Sequence, residues 1–313
     1  MLSAVDSLLH GLQNVRANWQ LLVVLFAQTL MTSVLTILGG VPIFLVLGVA
    51  VVRGIAAQFG TVGPIALWER FFEAGMPLLF ALLAATLIWT LAFVVYCYFQ
   101  GGILGTLAAG ERRVRVQKPG WQDFQVFSWQ SFARSAEQLT WPVFWLLNLF
   151  LVVATAVLAL FALLAAGLFL VLQESSVSLR VVLGCSIFLL VVVVLALTAA
   201  WMQLALAQLA GGVRGVLKAA RSALTVARRR FPGVALLFLV LIAGSVFVGI
   251  VLVPLSVVVE SAARGDFMAY WGGQVLVTVA QWFASSIVTL AWSAALIALV
   301  AGDSEAIGAV VAR

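Results

Sequence analysis

Long apolar segments separated by short polar ones make up most of the chain. A helix of about 20 apolar residues covers the hydrocarbon core of a bilayer, and six segments reach that length. They occupy residues 19–40, 76–109, 141–172, 181–210, 234–259 and 271–300. The pattern therefore predicts an all-α integral membrane protein with six transmembrane helices.

The first apolar run is too long for one straight span. It covers residues 19–52, which is about 50 Å of helix, whereas the hydrocarbon core is about 30 Å thick. The Gly-Gly-Val-Pro sequence at residues 39–42 predicts a bend or a break there, followed by an interfacial or protruding helix to about residue 58. Residues 60–73 are charged in part, and we expect them to form a polar excursion between the first two spans.

The segment at residues 211–233 is helical in pattern but too polar to cross a membrane. Its apolar residues recur every three or four positions, at Val213, Leu217, Ala220, Leu224, Ala227 and Phe231. A neighbouring row at the same spacing contains Arg214, Lys218, Arg221, Thr225 and Arg228. This pattern is typical of a basic helix that lies along a membrane surface, with one row towards hydrocarbon and the other towards phosphate.

Two other segments, residues 2–18 and 121–140, have a weaker pattern of the same kind. Each of the three amphipathic segments is followed by two spans. The sequence therefore predicts one membrane domain over residues 1–313, made of three repeats of an amphipathic surface helix plus a transmembrane hairpin. The repeat units cover about residues 1–110, 111–210 and 211–313.

Composition excludes a soluble globular protein, because 65% of the residues are hydrophobic, only 9% are charged and the mean hydropathy is +1.20. The net charge of +6 does not indicate nucleic-acid binding, since the basic residues flank the apolar segments. We expect the partners to be anionic membrane lipids and other membrane proteins in a larger complex, with no nucleic acid among them.

Basic residues also predict the orientation. Of the 17 basic residues, all but Arg53, Arg70, Arg180 and Arg264 fall on the side that holds both termini. Because positive loops stay in the cytoplasm, both termini are expected to be cytoplasmic. An additional span at residues 43–58 would remove this asymmetry, which favours six spans over seven.

The candidate binding residues lie in two basic groups on this side, at the turn after the second span and in the third amphipathic segment. They are Arg112, Arg113, Arg115, Lys118, Arg214, Lys218, Arg221, Arg228, Arg229 and Arg230. Together they predict a pocket for anionic lipid headgroups or a cytoplasmic partner protein. The alternative is an ordinary solvated connector of the kind that sets membrane orientation.

Uncharged polar residues form rows within two spans. Gln281, Ser285, Thr289 and Ser293 recur every four residues in the sixth span, and Gln28, Thr32 and Thr36 do so in the first. Neither row contains an acid, a base or a cation, so we interpret the sixth-span residues as a polar helix-packing row. The alternative is that both rows serve a small-molecule or lipid transporter.

Residues suited to catalysis or metal binding are scarce. His10 is the one histidine, and Cys97 and Cys185 are the two cysteines, which we expect to be small buried residues. With so few ligands, the sequence predicts no metal or other cofactor. No catalytic motif is recognised, so the chain is predicted not to be an enzyme but a non-catalytic scaffold or accessory subunit.

Two stretches resemble a known family: YFQGGILGTLAAGERR at residues 98–113 and LAQLAGGVRGVLKAARSALTVARRRFPG at residues 206–233. They are similar to uncharacterised bacterial six-span families related to the membrane domain of glycerophosphoryl diester phosphodiesterases. The resemblance implies a multi-pass protein of the bacterial cytoplasmic (inner) membrane. The catalytic domain of those phosphodiesterases, with its histidine and carboxylate cluster, has no counterpart here, so no catalytic residue is carried over.

A reporter fused after Arg313 tests the predicted orientation. We expect green fluorescent protein fused there to fluoresce and alkaline phosphatase fused there to be inactive, because the positive-inside rule places this terminus in the cytoplasm. Both signals are measured in intact cells. Phosphatase activity without fluorescence would contradict the topology.

Overall fold

A computed structural model describes residues 3–58, 64–114, 120–171, 177–262 and 267–311, and no strand occurs within them. Eight α-helices are described: α1 (Ala4–Ala17), α2 (Gln20–Gln58), α3 (Pro64–Arg113), α4 (Trp129–Val171), α5 (Val177–Ala210), α6 (Val216–Arg229), α7 (Phe231–Ala262) and α8 (Phe267–Val311). A short 3-10 helix, Trp121–Phe124, lies between α3 and α4. The predicted all-α fold is confirmed for these residues.

Six of the helices are long and apolar enough to cross a membrane. The apolar segments are Gln20–Val46, Gly75–Arg113, Trp129–Leu168, Ser178–Ala210, Phe231–Ala262 and Phe267–Gly302. The other two, α1 and α6, have 14 residues each and are too short to span a bilayer. This is the architecture of a multi-pass membrane protein with two additional short helices.

Of the two alternatives at residues 39–42, a break does not form, since α2 continues through Pro42 to Gln58. Proline removes one backbone donor, whereas a full break would leave several backbone groups without hydrogen bonds. Residues 64–73 of the predicted polar excursion are helical, because α3 begins at Pro64, and the apolar span of α3 begins at Gly75. Residues 59–63 lie outside the described part of the chain.

The second surface helix, predicted at residues 121–140, does not form as a separate element. After Trp121–Phe124, the chain is non-helical to Ser128, and α4 then runs from Trp129 through Pro142 without interruption. Ser128 and Ser131 fix this start, since the hydroxyl of each accepts the backbone N–H of the other at 3.1 Å. At the other end of the chain, α8 continues beyond the predicted limit of residue 300.

Consecutive long helices pack against each other, α2 with α3, α3 with α4, α4 with α5 and α7 with α8, and α8 also contacts α1, α2, α3 and α5. Buried side chains concentrate at one end of the bundle, where α2, α4 and α7 begin and α3, α5 and α8 end. Fully buried examples are Leu21, Ile103, Leu146, Leu204, Leu237 and Leu296. The C-terminal part of α8 is therefore the centre of the core.

Glycines allow close helix approach at this end. In the α3–α4 contact, Gly102 lies directly beneath the ring of Phe132, and a Cβ at Gly105 would stand 2.6 Å from the Ser135 Cβ. In the α1–α8 contact, a Cβ at Gly11 would stand 2.7 Å from the backbone nitrogen of Ala295. Helices in lipid associate largely through such close packing, because lipid tails are as apolar as leucine.

The start of α1 is fixed by a reciprocal cap. The Ser3 hydroxyl accepts the Asp6 backbone N–H at 3.1 Å, and the Ser3 hydroxyl and amide donate to Asp6 Oδ2 at 2.7 Å and 3.1 Å. These bonds from Ser3 hold the pKa of the Asp6 carboxyl below its usual value, since they favour the ionised form. The sequence-predicted helix at residues 2–18 thus has a defined first turn.

We expect Gly11→Leu to destabilise the fold, because its Cβ would collide with the backbone of α8, which cannot move aside as a side chain can. Overpacking of this kind costs about 1–3 kcal/mol. The measurement is the thermal unfolding midpoint of the purified protein in detergent. Gly167→Leu is the matched control, because no atom lies within 4 Å of a Cβ at Gly167, and equal midpoints for the two variants would contradict the described α1–α8 contact.

Candidate membrane-surface site

Two glycines position α6 after α5. Gly212 and Gly215 have φ angles of 102° and 98°, which residues with a Cβ rarely adopt. Gly215 is the residue that precedes the first turn of α6, and its carbonyl accepts the Ala219 N–H at 3.0 Å. The turn therefore depends on glycine at both positions and sets the direction in which α6 leaves the bundle.

One face of α6 is docked onto the protein through small residues. Ala219, Ala220, Ala223 and Val226 are buried, and the helix packs mainly against α5. The indole Nε1 of Trp201 in α5 donates to the Ala220 carbonyl at 2.8 Å. Because alanine side chains are short, this contact brings the two helix backbones close together and fixes which face of α6 is turned outward.

The outward face carries leucine and phenylalanine beside the basic residues. Leu217 and Leu224 are 62% and 57% exposed, and their spacing of seven residues places them on one side of α6. Phe231, the first residue of α7, is 65% exposed and follows directly after α6. The predicted apolar row is thus divided: Ala220 faces the protein, whereas these three large side chains do not. An exposed apolar ridge next to cations is the pattern of a helix half-immersed in the membrane interface.

Most of the basic candidates of this region are exposed. They are Arg214, Lys218, Arg221, Arg228 and Arg229. Arg230 differs, because it is half-buried and its Nη1 donates to the Leu299 carbonyl of α8 at 3.4 Å. Arg230 therefore contributes to the contact between the end of α6 and α8, and its predicted role in binding stays a prediction.

The second basic group lies elsewhere on the same end of the bundle. Arg113 Nη1 donates to the Gln125 carbonyl at 2.7 Å, which ties the segment before α4 to the end of α3, and Arg112 Nε donates to the Ala108 carbonyl at 3.2 Å. Arg115 and Lys118 lie outside the described residues. Since α6 packs against α5, α4 and α7, the two basic groups are positioned by different neighbours, and a shared pocket stays a prediction.

A buried polar cluster at the junction of α1, α3 and the 3-10 helix was missed by the sequence analysis. Asn14 Nδ2 donates to the Leu107 carbonyl of α3 at 2.9 Å. Asn18 Nδ2 donates to the Phe124 carbonyl at 2.9 Å, and Asn18 Oδ1 accepts the N–H groups of Val126 and Phe127 at 3.1 Å and 2.9 Å. Asn14 thus connects α1 to α3, and Asn18 supplies hydrogen bonds to backbone groups of the segment before α4.

His10 and Glu111 belong to the same junction. His10 Nδ1 lies 3.1 Å from Glu111 Oε1, and the pair is ionic when the imidazole is protonated. The second span was predicted to end at residue 109, but α3 continues to Arg113 and so directs the Glu111 carboxylate into the protein. The sequence of α1 does contain an indication of this junction, because Ser7, Gly11 and Asn14 form a row of small and polar residues. This row is buried in the structure.

The polar rows of the spans differ in burial. In α2, Gln28 is buried, Thr32 is half-buried and Thr36 is exposed.

In α8, Gln281, Ser285 and Thr289 are exposed, and Ser293 is half-buried. The hydroxyls of Thr289 and Ser293 donate to carbonyls four residues earlier, at 2.8 Å and 2.9 Å. The described helices thus leave most of this row uncovered. Its role in helix packing stays a prediction, because the exposed residues could pack only against a partner outside the described helices.

The two cysteines are in different environments. Cys97 is buried as expected, whereas the expectation for Cys185 is wrong, because its side chain is exposed on α5. Within the described ranges, no group of three or more histidine, cysteine, aspartate or glutamate side chains is placed to hold a metal ion.

Comparison with known proteins found no matching family model, no matching curated protein and no matching solved structure. The resemblance to the membrane domain of glycerophosphoryl diester phosphodiesterases therefore stays an expectation. Functional inference for this chain has to come from the geometry of its own residues.

Asn18→Ala is expected to destabilise the junction, because it removes both the donor and the acceptor for three backbone groups beside the 3-10 helix. Each buried group left without a partner costs about 1–3 kcal/mol. Thermal unfolding in detergent and protease sensitivity at residues 120–128 measure the effect.

Asn148→Ala is the matched control, since Asn148 Nδ2 donates only to the Phe144 carbonyl one turn earlier in α4. We expect the control to unfold close to the wild-type midpoint. A drop in Asn18→Ala no larger than that of the control would contradict the role of the cluster.

Proposed function

We propose that the protein is a non-catalytic scaffold or accessory subunit of the bacterial inner membrane whose α6 surface binds anionic lipid headgroups. The α6 surface is defined here as Leu217, Lys218, Arg221, Leu224, Arg228 and Arg229 of α6 together with the flanking residues Arg214 and Phe231. The observation that carries the proposal is the placement of exposed leucines beside exposed basic residues on the face of α6 that is turned away from the bundle.

A lipid surface fits this face better than water does. Leucine and phenylalanine side chains gain free energy by entering the acyl region, and neighbouring cations then stand at the depth of the phosphates. The docked alanine face prevents α6 from rotating to bury its large apolar residues in the protein instead. The bundle therefore presents a pre-oriented interfacial helix.

The proposal includes an orientation and a repeat. The described basic residues near α1, α6 and the end of α3 gather at the end of the bundle that contains the core, which fits a cytoplasmic location for this end. The short helices α1 and α6, which precede the helix pairs α2–α3 and α7–α8, are in keeping with the repeat, whereas α4 follows α3 without a separate surface helix.

Replacing Lys218, Arg221 and Arg228 together by glutamine tests lipid binding. Each basic residue near an anionic surface contributes about 1 kcal/mol, so the triple variant should bind phosphatidylglycerol about 100-fold more weakly at low salt. The measurement is the displacement of fluorescent phosphatidylglycerol from the purified protein in mixed micelles, with phosphatidylcholine as the competitor.

The control variant keeps a positive charge at each position and combines Lys218→Arg, Arg221→Lys and Arg228→Lys. It should retain phosphatidylglycerol, because the headgroup contact depends on positive charge at these positions. Unchanged retention in the glutamine variant would refute the proposed function, provided that its unfolding midpoint matches that of the wild type.

A further inference from the structure

A polar stripe follows α8 through most of its membrane-spanning length. It consists of Gln274, Thr278, Gln281, Ser285, Thr289 and Ser293. At a rise of 1.5 Å per residue it extends about 28 Å, close to the thickness of a hydrocarbon core. A stripe of this length inside the span Phe267–Gly302 has to meet either protein or lipid.

The middle of the stripe lacks a partner in the described chain. The hydroxyls of Thr278, Thr289 and Ser293 donate to carbonyls four residues earlier. The Gln281 side chain is exposed and makes no hydrogen bond to any described residue. An amide has two donors and a carbonyl acceptor, and hydrocarbon offers neither partner nor water to satisfy them.

The surroundings of the stripe distinguish it from the lipid-facing side of the same helix. α7 packs along one flank of α8, where Val259 lies over Gly273. Farther along α8, Phe238 of α7 packs against Trp292, which lies on the same side as Ser285, but Gln281, Ser285 and Thr289 themselves stay exposed. The opposite side of α8 exposes apolar residues such as Leu276, at 71%, which acyl chains can cover. Acyl chains can cover the apolar side, but they offer no hydrogen-bond partner to the amide of Gln281.

We propose that Gln281, Ser285 and Thr289 form the contact of α8 with α8 of a second copy of this chain. Glutamine is self-complementary, because its amide nitrogen donates and its carbonyl oxygen accepts, so two identical rows can bond reciprocally across a two-fold axis. Two copies inserted in the same orientation hold Gln281 at the same depth. An uncharged row also requires no oppositely charged partner, which favours an identical chain.

This inference is independent of lipid binding by the α6 surface, since the two surfaces lie on different helices. It also gives the polar helix-packing row a specific partner. Interhelical hydrogen bonds in lipid contribute modestly per bond, so the symmetric pair is expected to change the dimer dissociation constant by about tenfold.

Disulfide formation in membranes tests the contact directly. Ser285→Cys is introduced together with Cys185→Ser, which removes the exposed native thiol, while the buried Cys97 is kept. A disulfide forms only when two Cα atoms approach to about 4.4–6.8 Å. We expect mild oxidation to yield a covalent dimer from Ser285→Cys. The matched control, Phe283→Cys in the same background, lies on the other side of α8 and should stay monomeric.

Dimer dissociation measured by fluorescence energy transfer in lipid bilayers provides the second test. Gln281→Leu should weaken the dimer about tenfold, whereas Gln281→Asn should retain it, because the shorter amide has the same donors and acceptor. The Gln281 side chain is exposed, so the monomer fold should tolerate both changes. The triple glutamine variant of the α6 surface should dimerise normally, which separates this test from that of lipid binding.

The outcomes are decisive in both directions. A covalent dimer at Ser285→Cys together with weaker association of Gln281→Leu supports the second copy. Absence of the covalent dimer, or equal cross-linking at both positions, overturns it. Labelling of Ser285→Cys by a water-soluble maleimide without dimerisation also overturns it and indicates a hydrated conduit instead.

Discussion

Close packing around the C-terminal part of α8 is the constraint on which the rest of the structure depends. Among the described glycines, Gly11 makes the closest approach to the backbone of a neighbouring helix, since a Cβ there would meet the backbone of Ala291 and Ala295. Helices in lipid gain little hydrophobic free energy when they associate. Close contacts between small residues therefore contribute much of the free energy of association. Helix α8 contacts α1, α2, α3, α5 and α7, so most of the bundle packs around it.

Polar hydrogen bonds complete this end of the bundle. Asn14 and Asn18 connect α1 with α3 and with the segment before α4, where the chain changes direction and its backbone groups lack helical partners. A buried amide that satisfies several backbone groups specifies one arrangement, because any other would leave those groups without hydrogen bonds. The non-helical stretch between Phe124 and Ser128 is therefore as well defined as the helices beside it.

The two ends of the molecule differ as a consequence. Where the core lies, α6 is held by Trp201 and its alanine face, and its large apolar and basic side chains are left for a membrane interface. Farther along the spans, α7 and α8 expose most of their surface, which lipid can cover except at the polar stripe. We infer that the first end provides contact with headgroups and that the stripe on α8 provides contact with a second copy.

The sequence by itself determined the membrane class, the six long apolar helices and the two short amphipathic ones at α1 and α6. These features depend on local composition and periodicity, since any apolar helix must satisfy its own backbone in hydrocarbon. The same requirement explains why α2 continues through Pro42 without a break, because a continuous helix leaves fewer unsatisfied groups. Only the tertiary structure decided which face of α6 is docked, that Glu111 turns inward to His10, that Arg230 reaches α8 and that Gln281 stays uncovered. Each of these depends on which helix lies alongside, and residue spacing along one helix carries no information about its neighbours.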